Sequence, residues 1–162
     1  LLCALLGLYR FSMESGVPVH TNTAFTAQSS FIAALASAPA DMVIPEKLQG
    51  DGRIYLLSPR YFEDGMPCMQ ELRNLIAYLR RATLGGKIKS ARVICGSTPA
   101  EQLTAAATDC GIILNPYGMQ VLDTPCPCGF IVEADGELEG ELIALSTQPE
   151  NAQNHVTSDN IS

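Results

Sequence analysis

Residues 53–58, RIYLLS, constrain the fold more than any other stretch, because the run is apolar on both faces of an extended chain. A strand that is buried on both sides is typical of the centre of a sheet that helices cover. A helical stripe of apolar side chains follows from about Pro67, comprising Cys68, Leu72, Leu75, Ile76 and Leu79, and Gly85-Gly86 end it. The sequence therefore predicts a strand–loop–helix unit.

The same alternation continues along the chain. SARVICG (90–96) predicts a second strand, Thr98-Pro99 and Glu101 predict a capped helix start, and GIILNPYG (111–118) predicts a third strand. Before residue 53, a helix over 1–15, a strand over 17–25 and a helix over 31–38 are predicted. Strands that alternate with helices favour a parallel sheet with helices on both faces.

The polar and charged residues are distributed unevenly. All ten Lys and Arg lie in residues 1–122, whereas residues 123–162 contain eight acids and no Lys or Arg. Because no basic cluster is present, the sequence argues against a nucleic-acid partner. The apolar start of the chain is too short to span a bilayer, so no membrane partner is expected. A hairpin-like, β-rich extension over 119–146 and a disordered polar tail over 147–162 are predicted.

The six cysteines do not form the framework of a small secreted domain, which favours a reducing, cytoplasmic location. Cys68, Cys95 and Cys110 fall within apolar patterns, where free cysteine behaves as a small hydrophobic residue. Cys126 and Cys128 resemble half of a zinc site, but His20 and His155 lack the spacing that would complete it. No metal and no cofactor is predicted, and two loop cysteines are the preferred interpretation.

The segment LLSPRYFEDGMPCMQEL carries a more specific signal. Its order of Ser58-Pro59, Tyr61, Cys68 and Glu71-Leu72 resembles the strand–loop–helix signature of Toll/interleukin-receptor (TIR) domains. Pro67 stands where that family usually has Trp, and the loop is one residue longer. The motif resemblance covers residues 53–79, and the topology would extend it to residues 1–118, with the first strand missing from an N-terminally truncated fragment.

The resemblance implies a flavodoxin-like parallel sheet of order 2-1-3-4-5 and a role in signalling or innate defence. It implies that Glu71 is the catalytic carboxylate that cleaves the N-glycosidic bond of NAD, with NAD as substrate rather than cofactor. Ser58, Tyr61 and Cys68 would then bind the substrate, and other TIR domains would be partners through self-association.

Two alternatives stay open at this point. Since the Trp, the first strand and the loop motif after the second strand are absent, the chain could be a non-enzymatic interaction module of the TIR type. It could also be a generic flavodoxin-like domain in which Glu71 is only an acid that complements the dipole at a helix start.

Overall fold

The computed structural model describes residues 9–10, 12–13, 40, 43–117 and 122–148. Residues 9–10 and 12–13 are helical, within the helix predicted over 1–15, whereas the strand predicted over 17–25 and the helix predicted over 31–38 lie outside the described residues. The chain divides into a unit of residues 1–40 and a unit of residues 41–162. The second unit contains the sheet and the candidate site.

Five strands and two helices make up the described part of this second unit. In chain order they are β1 (Arg53–Leu57), α1 (Met69–Leu84), β2 (Ile88–Val93), α2 (Pro99–Cys110), β3 (Ile113–Pro116), β4 (Phe130–Ala134) and β5 (Glu141–Thr147). The strand predicted at 53–58, the helix that follows it and the alternation up to β3 are therefore present in the structure.

The sheet has the order β2-β4-β1-β5-β3, and every pair of neighbours is antiparallel. The predicted fold class, a flavodoxin-like parallel sheet of order 2-1-3-4-5, is therefore wrong. The reason lies in the later strands. β1, β2 and β3 do run in the same direction, as strand–helix alternation requires, but β4 separates β1 from β2 and β5 separates β1 from β3.

The segment predicted as an extension, residues 119–146, therefore contains strands that pair with the strands before residue 118. β4 and β5 do not form the predicted hairpin with each other, because they lie on opposite sides of β1. The connection at 135–140 crosses β1, and along it the carbonyl of Gly136 accepts a 3.0 Å hydrogen bond from the Tyr55 hydroxyl. Thr147, where the polar tail was predicted to begin, is the last residue of β5.

The two helices belong to different apolar clusters, which lie on opposite faces of β1 because side chains alternate along a strand. Ile54 and Leu56 pack in the cluster that contains Leu103 and Ala106 of α2. Tyr55 and Leu57 pack in the cluster that contains Leu79 and Ala82 of α1. These four β1 side chains are at most 5% exposed, so β1 has the two apolar faces that its sequence predicts.

The start of α2 follows its sequence signals. The hydroxyl of Thr98 accepts a 3.3 Å hydrogen bond from the backbone N–H of Glu101, and the Glu101 carboxylate accepts a 3.0 Å bond from the N–H of Thr98. With Pro99 at the first helical position, this capping box satisfies two backbone donors that the helix itself cannot satisfy.

One carboxylate lies inside the apolar sheet. Glu133, on β4, is completely buried, and its two oxygens accept hydrogen bonds from three successive backbone N–H groups of the loop before β1. The distances are 2.5 Å to Gln49, 2.9 Å to Gly50 and 3.3 Å to Asp51. Gly50 adopts a φ of +82°, a left-handed conformation that suits glycine and turns its N–H toward the carboxylate.

Two hydroxyls complete the partners of this carboxylate. Ser90 on β2 donates at 3.2 Å and Ser146 on β5 donates at 2.6 Å. Ser146 Oγ also accepts a 3.0 Å bond from the N–H of Gly52. Among the described residues, no buried side-chain nitrogen or oxygen lacks a hydrogen-bond partner. One side chain thus connects β4, β2, β5 and the loop that leads into β1.

We expect the substitution Glu133→Gln to lower the free energy of unfolding by about 2–4 kcal/mol, because a neutral amide accepts these bonds more weakly and turns its own NH₂ toward a donor. Urea unfolding followed by circular dichroism measures the change. Glu137→Gln is the matched control. Its side chain is 90% exposed, and its ion pair with Arg53 spans 3.4 Å, so a change within about 0.5 kcal/mol is expected. Equal effects of the two substitutions would contradict the role of Glu133.

Candidate functional site

Glu71, the predicted catalytic residue, lies in the first turn of α1 and is bound to the loop that precedes the helix. Its Oε2 accepts a 2.7 Å hydrogen bond from the backbone N–H of Arg60, and its Oε1 lies 3.4 Å from Arg60 Nε. The side chain is 42% exposed. Both carboxylate oxygens therefore have a partner on the same neighbouring residue, an arrangement that fixes the loop to the helix.

The loop between β1 and α1 is closed by its own backbone. Cys68 is the N-cap residue of α1, but its side chain makes no capping hydrogen bond, and its N–H donates to the carbonyl of Arg60 at 2.7 Å. Tyr61 and Pro67 form an isolated antiparallel bridge. Pro67, which replaces the Trp of the TIR pattern, therefore helps to close the loop. Ser58 is exposed at the point where the loop leaves β1.

Tyr61 connects this loop to a second one. Its hydroxyl donates a 2.9 Å hydrogen bond to the carbonyl of Pro127, in the turn that precedes β4. Burial, together with the nearby Cys126 and Cys128, raises the pKa of Tyr61 from 10.0 to about 12. The phenol therefore remains a hydrogen-bond donor throughout the neutral range.

The four predicted site residues make their contacts in different places. Glu71 and Tyr61 belong to the same loop–helix junction, but Tyr61 bonds to the turn at Pro127, whereas Glu71 bonds to Arg60. Ser58, Tyr61, Cys68 and Glu71 do not line either of the two cavities described below. The substrate pocket that the TIR resemblance implies is therefore not supported by these cavities.

The sequence CPCG forms the turn at 126–129, closed by a 2.9 Å hydrogen bond from the N–H of Gly129 to the carbonyl of Cys126. Cys128 has a φ of +68° and is the one non-glycine residue with positive φ among those described. Pro followed by a left-handed residue is the pattern of a type II turn, in which glycine is the usual third residue. Cysteine in this position is unusual, and such conformations are often found at functional sites.

The turn places three cysteines near the ends of β2 and β4. Cys126 is buried in the cluster that contains α2, whereas Cys95 and Cys128 are exposed. Neighbouring protein atoms partly desolvate the Cys126 and Cys128 thiols and raise the pKa of both, although the Cys128 residue as a whole is exposed, and Cys95 raises the pKa of Cys128 further. Within the described residues, no group of three metal-ligating side chains could hold a metal ion, so this cluster lacks the geometry of a metal site.

The larger cavity, about 400 Å³, lies at the opposite end of β1 from the cysteines. Asp51, Arg53, Asp135 and Ser146 contribute its polar lining. Lys89 Nζ bridges the two aspartates at 2.8 Å from Asp51 and 2.7 Å from Asp135. Asp51, Asp135 and Glu137 carry three negative charges against the two positive charges of Lys89 and Arg53, so ion pairs compensate most of the charge at this end.

The second cavity, about 290 Å³, is an apolar groove between α1, β2 and the segment before β1. It is lined by Ile44, Ile76, Leu79, Arg80, Thr83, Ile88, Ala91 and Phe130. We call these residues the α1–β2 groove. Ile76 was predicted to belong to the buried stripe of α1, but it is 51% exposed, at the edge of this groove. The helical period correctly predicts which positions of α1 are apolar. It does not predict which of these side chains are covered by the sheet, and Ile76 is not.

Cys95 and Glu133 have places in the structure that the sequence pattern did not predict. Cys95 was assigned to an apolar strand, but β2 ends at Val93 and the Cys95 side chain is exposed. Glu133 was counted only as part of an acidic segment. The signal that could have found Glu133 is its place within the apolar run FIVEA, where an acid has to have buried partners.

Comparison of the chain with protein-family models, with curated proteins and with solved structures gives no match. The TIR resemblance therefore stays a prediction that rests on the residues between 53 and 79. Within the described part of the chain, none of the helices has the length and apolar character that crossing a membrane requires.

We expect Tyr61 to ionise near pH 12 in the folded chain, well above the ordinary value of 10.0. Between these values the unfolded chain loses this proton while the folded chain keeps it, so folding stability falls as the pH rises through this range. Tyrosinate absorbance during an alkaline titration measures the ionisation.

Tyr61→Phe should remove this late step, whereas Tyr117→Phe, which alters a 52% exposed side chain, should leave it in place. If every tyrosine of the folded chain ionised near pH 10, the hydrogen bond between Tyr61 and Pro127 and the partial burial of the phenol would be contradicted.

Proposed function

We propose that this chain is a non-enzymatic protein–protein interaction module and that the α1–β2 groove binds an apolar segment of a partner protein. The observation that carries the proposal is the exposure of large apolar side chains beside a groove with an apolar floor. Ile76, which lines the groove, is 51% exposed, and Val93, at the end of β2 and outside the lining, is 47% exposed. Apolar side chains that are grouped around a concavity are typical of binding surfaces.

The charges around the groove indicate what kind of partner it fits. α1 carries Arg73, Arg80 and Arg81, and its one acid, Glu71, is paired with Arg60. Arg73, Ile76 and Arg80 follow a spacing of three and four residues, so they lie on one face of the helix. Arg73 and Arg80 form no ion pair within the described residues. A partner with apolar side chains flanked by carboxylates would therefore complement this surface.

The groove is also accessible from one side of the sheet. Its floor contains Leu79, which is buried, and the half-buried Ala91 and Phe130. The N–H of Ala91 donates a 3.0 Å hydrogen bond to the carbonyl of Pro45, so the segment before β1 forms the outer wall. A short helix or an extended peptide could place one or two apolar side chains on this floor.

NAD cleavage receives less support from the same geometry. A catalytic carboxylate needs access to the ribose, whereas both oxygens of Glu71 have a partner on Arg60. The parallel sheet that would place the carboxylate at a strand-end crevice is replaced by an antiparallel one. Glu71 is therefore assigned a positioning role at the start of α1.

A reducing, cytoplasmic compartment is part of the proposal. It is supported by the five cysteines within the described residues, none of which forms a disulfide.

The binding proposal is tested with a displayed library of short random peptides selected on the purified chain. We expect selected peptides to combine apolar and acidic residues. Binding should weaken at least tenfold with Ile76→Ser, because the exposed wall of the groove is removed, and should weaken with Arg80→Glu in a salt-dependent manner.

Ile113→Ser is the matched control, because Ile113 is 45% exposed but lies on β3, at the far edge of the sheet. Selected peptides that lack this composition, or that bind the Ile76 and Ile113 variants equally well, would overturn the proposal. Sedimentation of the chain alone measures whether it forms a dimer. A dimer would indicate that a second copy of the chain occupies the groove, and a monomer would indicate a different partner.

A further inference from the structure

Backbone hydrogen bonds extend the pairing of β2 with β4 beyond the ends of both strands. The N–H of Ile94 donates to the carbonyl of Gly129 at 2.8 Å, and the N–H of Cys128 donates to the carbonyl of Ile94 at 3.2 Å. Two residues, Cys128 and Gly129, therefore oppose the single residue Ile94, which is the arrangement of a β-bulge with a left-handed first residue.

This bulge brings two exposed cysteines next to each other. Cys95 directly follows Ile94, and Cys128 is bonded to Ile94. Cys95 lies one residue, about 3.4 Å, beyond the position that Cys128 opposes, so paired segments about 5 Å apart place the two Cα atoms about 6 Å from each other. Disulfides span Cα distances of about 4.4–6.8 Å. Both cysteines are exposed and unbridged.

We propose that Cys95 and Cys128 are a thiol pair that forms a reversible intramolecular disulfide when the chain meets a low-molecular-weight disulfide. The turn, and not an intrinsic preference of cysteine, determines the left-handed backbone conformation of Cys128. A role for its thiol would explain why cysteine occupies a position that glycine usually takes. Cys126 is a poorer partner, since it is buried among apolar side chains.

The reaction balances as two successive thiol–disulfide exchanges. Because the pKa of Cys128 is raised, its thiolate is scarce near neutral pH, and the first attack falls to Cys95. The Cys95 thiolate attacks the small disulfide, forms a mixed disulfide and releases one small thiol. Cys128 then loses its proton to solvent, and its sulfur attacks Cys95 Sγ and expels the second small thiol. Two protein thiols are oxidised, and one small disulfide is reduced to two thiols.

The bond would tie the end of β2 to the turn before β4. That turn also accepts the hydrogen bond from the Tyr61 hydroxyl, so oxidation would act on a turn that is linked to the loop before α1. The pair therefore provides a modification site at the edge of the sheet where the loops after β1 and β2 lie. Disulfide formation at this site does not require a peptide in the α1–β2 groove.

The test uses the whole chain and oxidised glutathione as the probe. After incubation, the remaining thiols are alkylated, and the chain is digested without reduction and analysed by mass spectrometry. We expect a peptide pair that joins Cys95 to Cys128, with the loss of two hydrogens, and full reversal by excess reduced glutathione.

Cys95→Ser and Cys128→Gly should each abolish the linked peptides. Glycine is chosen at position 128 because it adopts positive φ without strain, so this variant keeps the turn while losing the thiol. Cys110→Ser, a half-buried cysteine at the end of α2, is the matched control and should leave the linkage intact. Circular dichroism confirms that each variant is folded. Glutathione adducts on separate cysteines, a link through Cys126, or thiols that remain reduced would each overturn the proposal.

Discussion

The buried carboxylate of Glu133 is the interaction on which the arrangement of the sheet depends. A charged group in an apolar interior is tolerated only when its oxygens are fully hydrogen-bonded, and here three backbone N–H groups and two hydroxyls provide the bonds. These donors come from β2, β5 and the loop before β1, so the bonds form together only when the strands have the observed order. A register shift would leave the carboxylate unpaired, at a cost of about 3–5 kcal/mol.

The tightly bonded centre contrasts with the surfaces at which function is proposed. The α1–β2 groove exposes Ile76 beside the arginines of α1, and the turn at 126–129 exposes Cys128 beside Cys95. Neither surface involves the residues that bind the Glu133 carboxylate. Glu71, which the sequence singles out, belongs to neither surface and fixes the loop before α1 through Arg60. The fold thus separates the bonds that determine its topology from the side chains that are available to partners.

The sequence predicted the features that depend on neighbours along the chain. The apolar run of β1, the stripe of α1 apart from the exposed Ile76, and the cap formed by Thr98 and Glu101 are local patterns, and the structure contains them. The places of β4 and β5 could not be predicted in this way, because pairing with β1 joins residues roughly 70 to 90 positions apart, such as Arg53 with Ala134 and with Leu145. The cysteine pair was missed for a similar reason, since Cys95 and Cys128 come together only through the pairing of β2 with β4.

Hydrogen exchange at single amides tests the role of Glu133 most directly. The N–H groups of Gln49 and Gly50 lie in a loop outside the strands, where exchange is ordinarily fast. If the Glu133 carboxylate holds them, their protection should match that of the β1 amides and should be lost selectively in the Glu133→Gln variant. Rapid exchange of Gln49 and Gly50 in the unaltered chain, with β1 protected, would contradict the account.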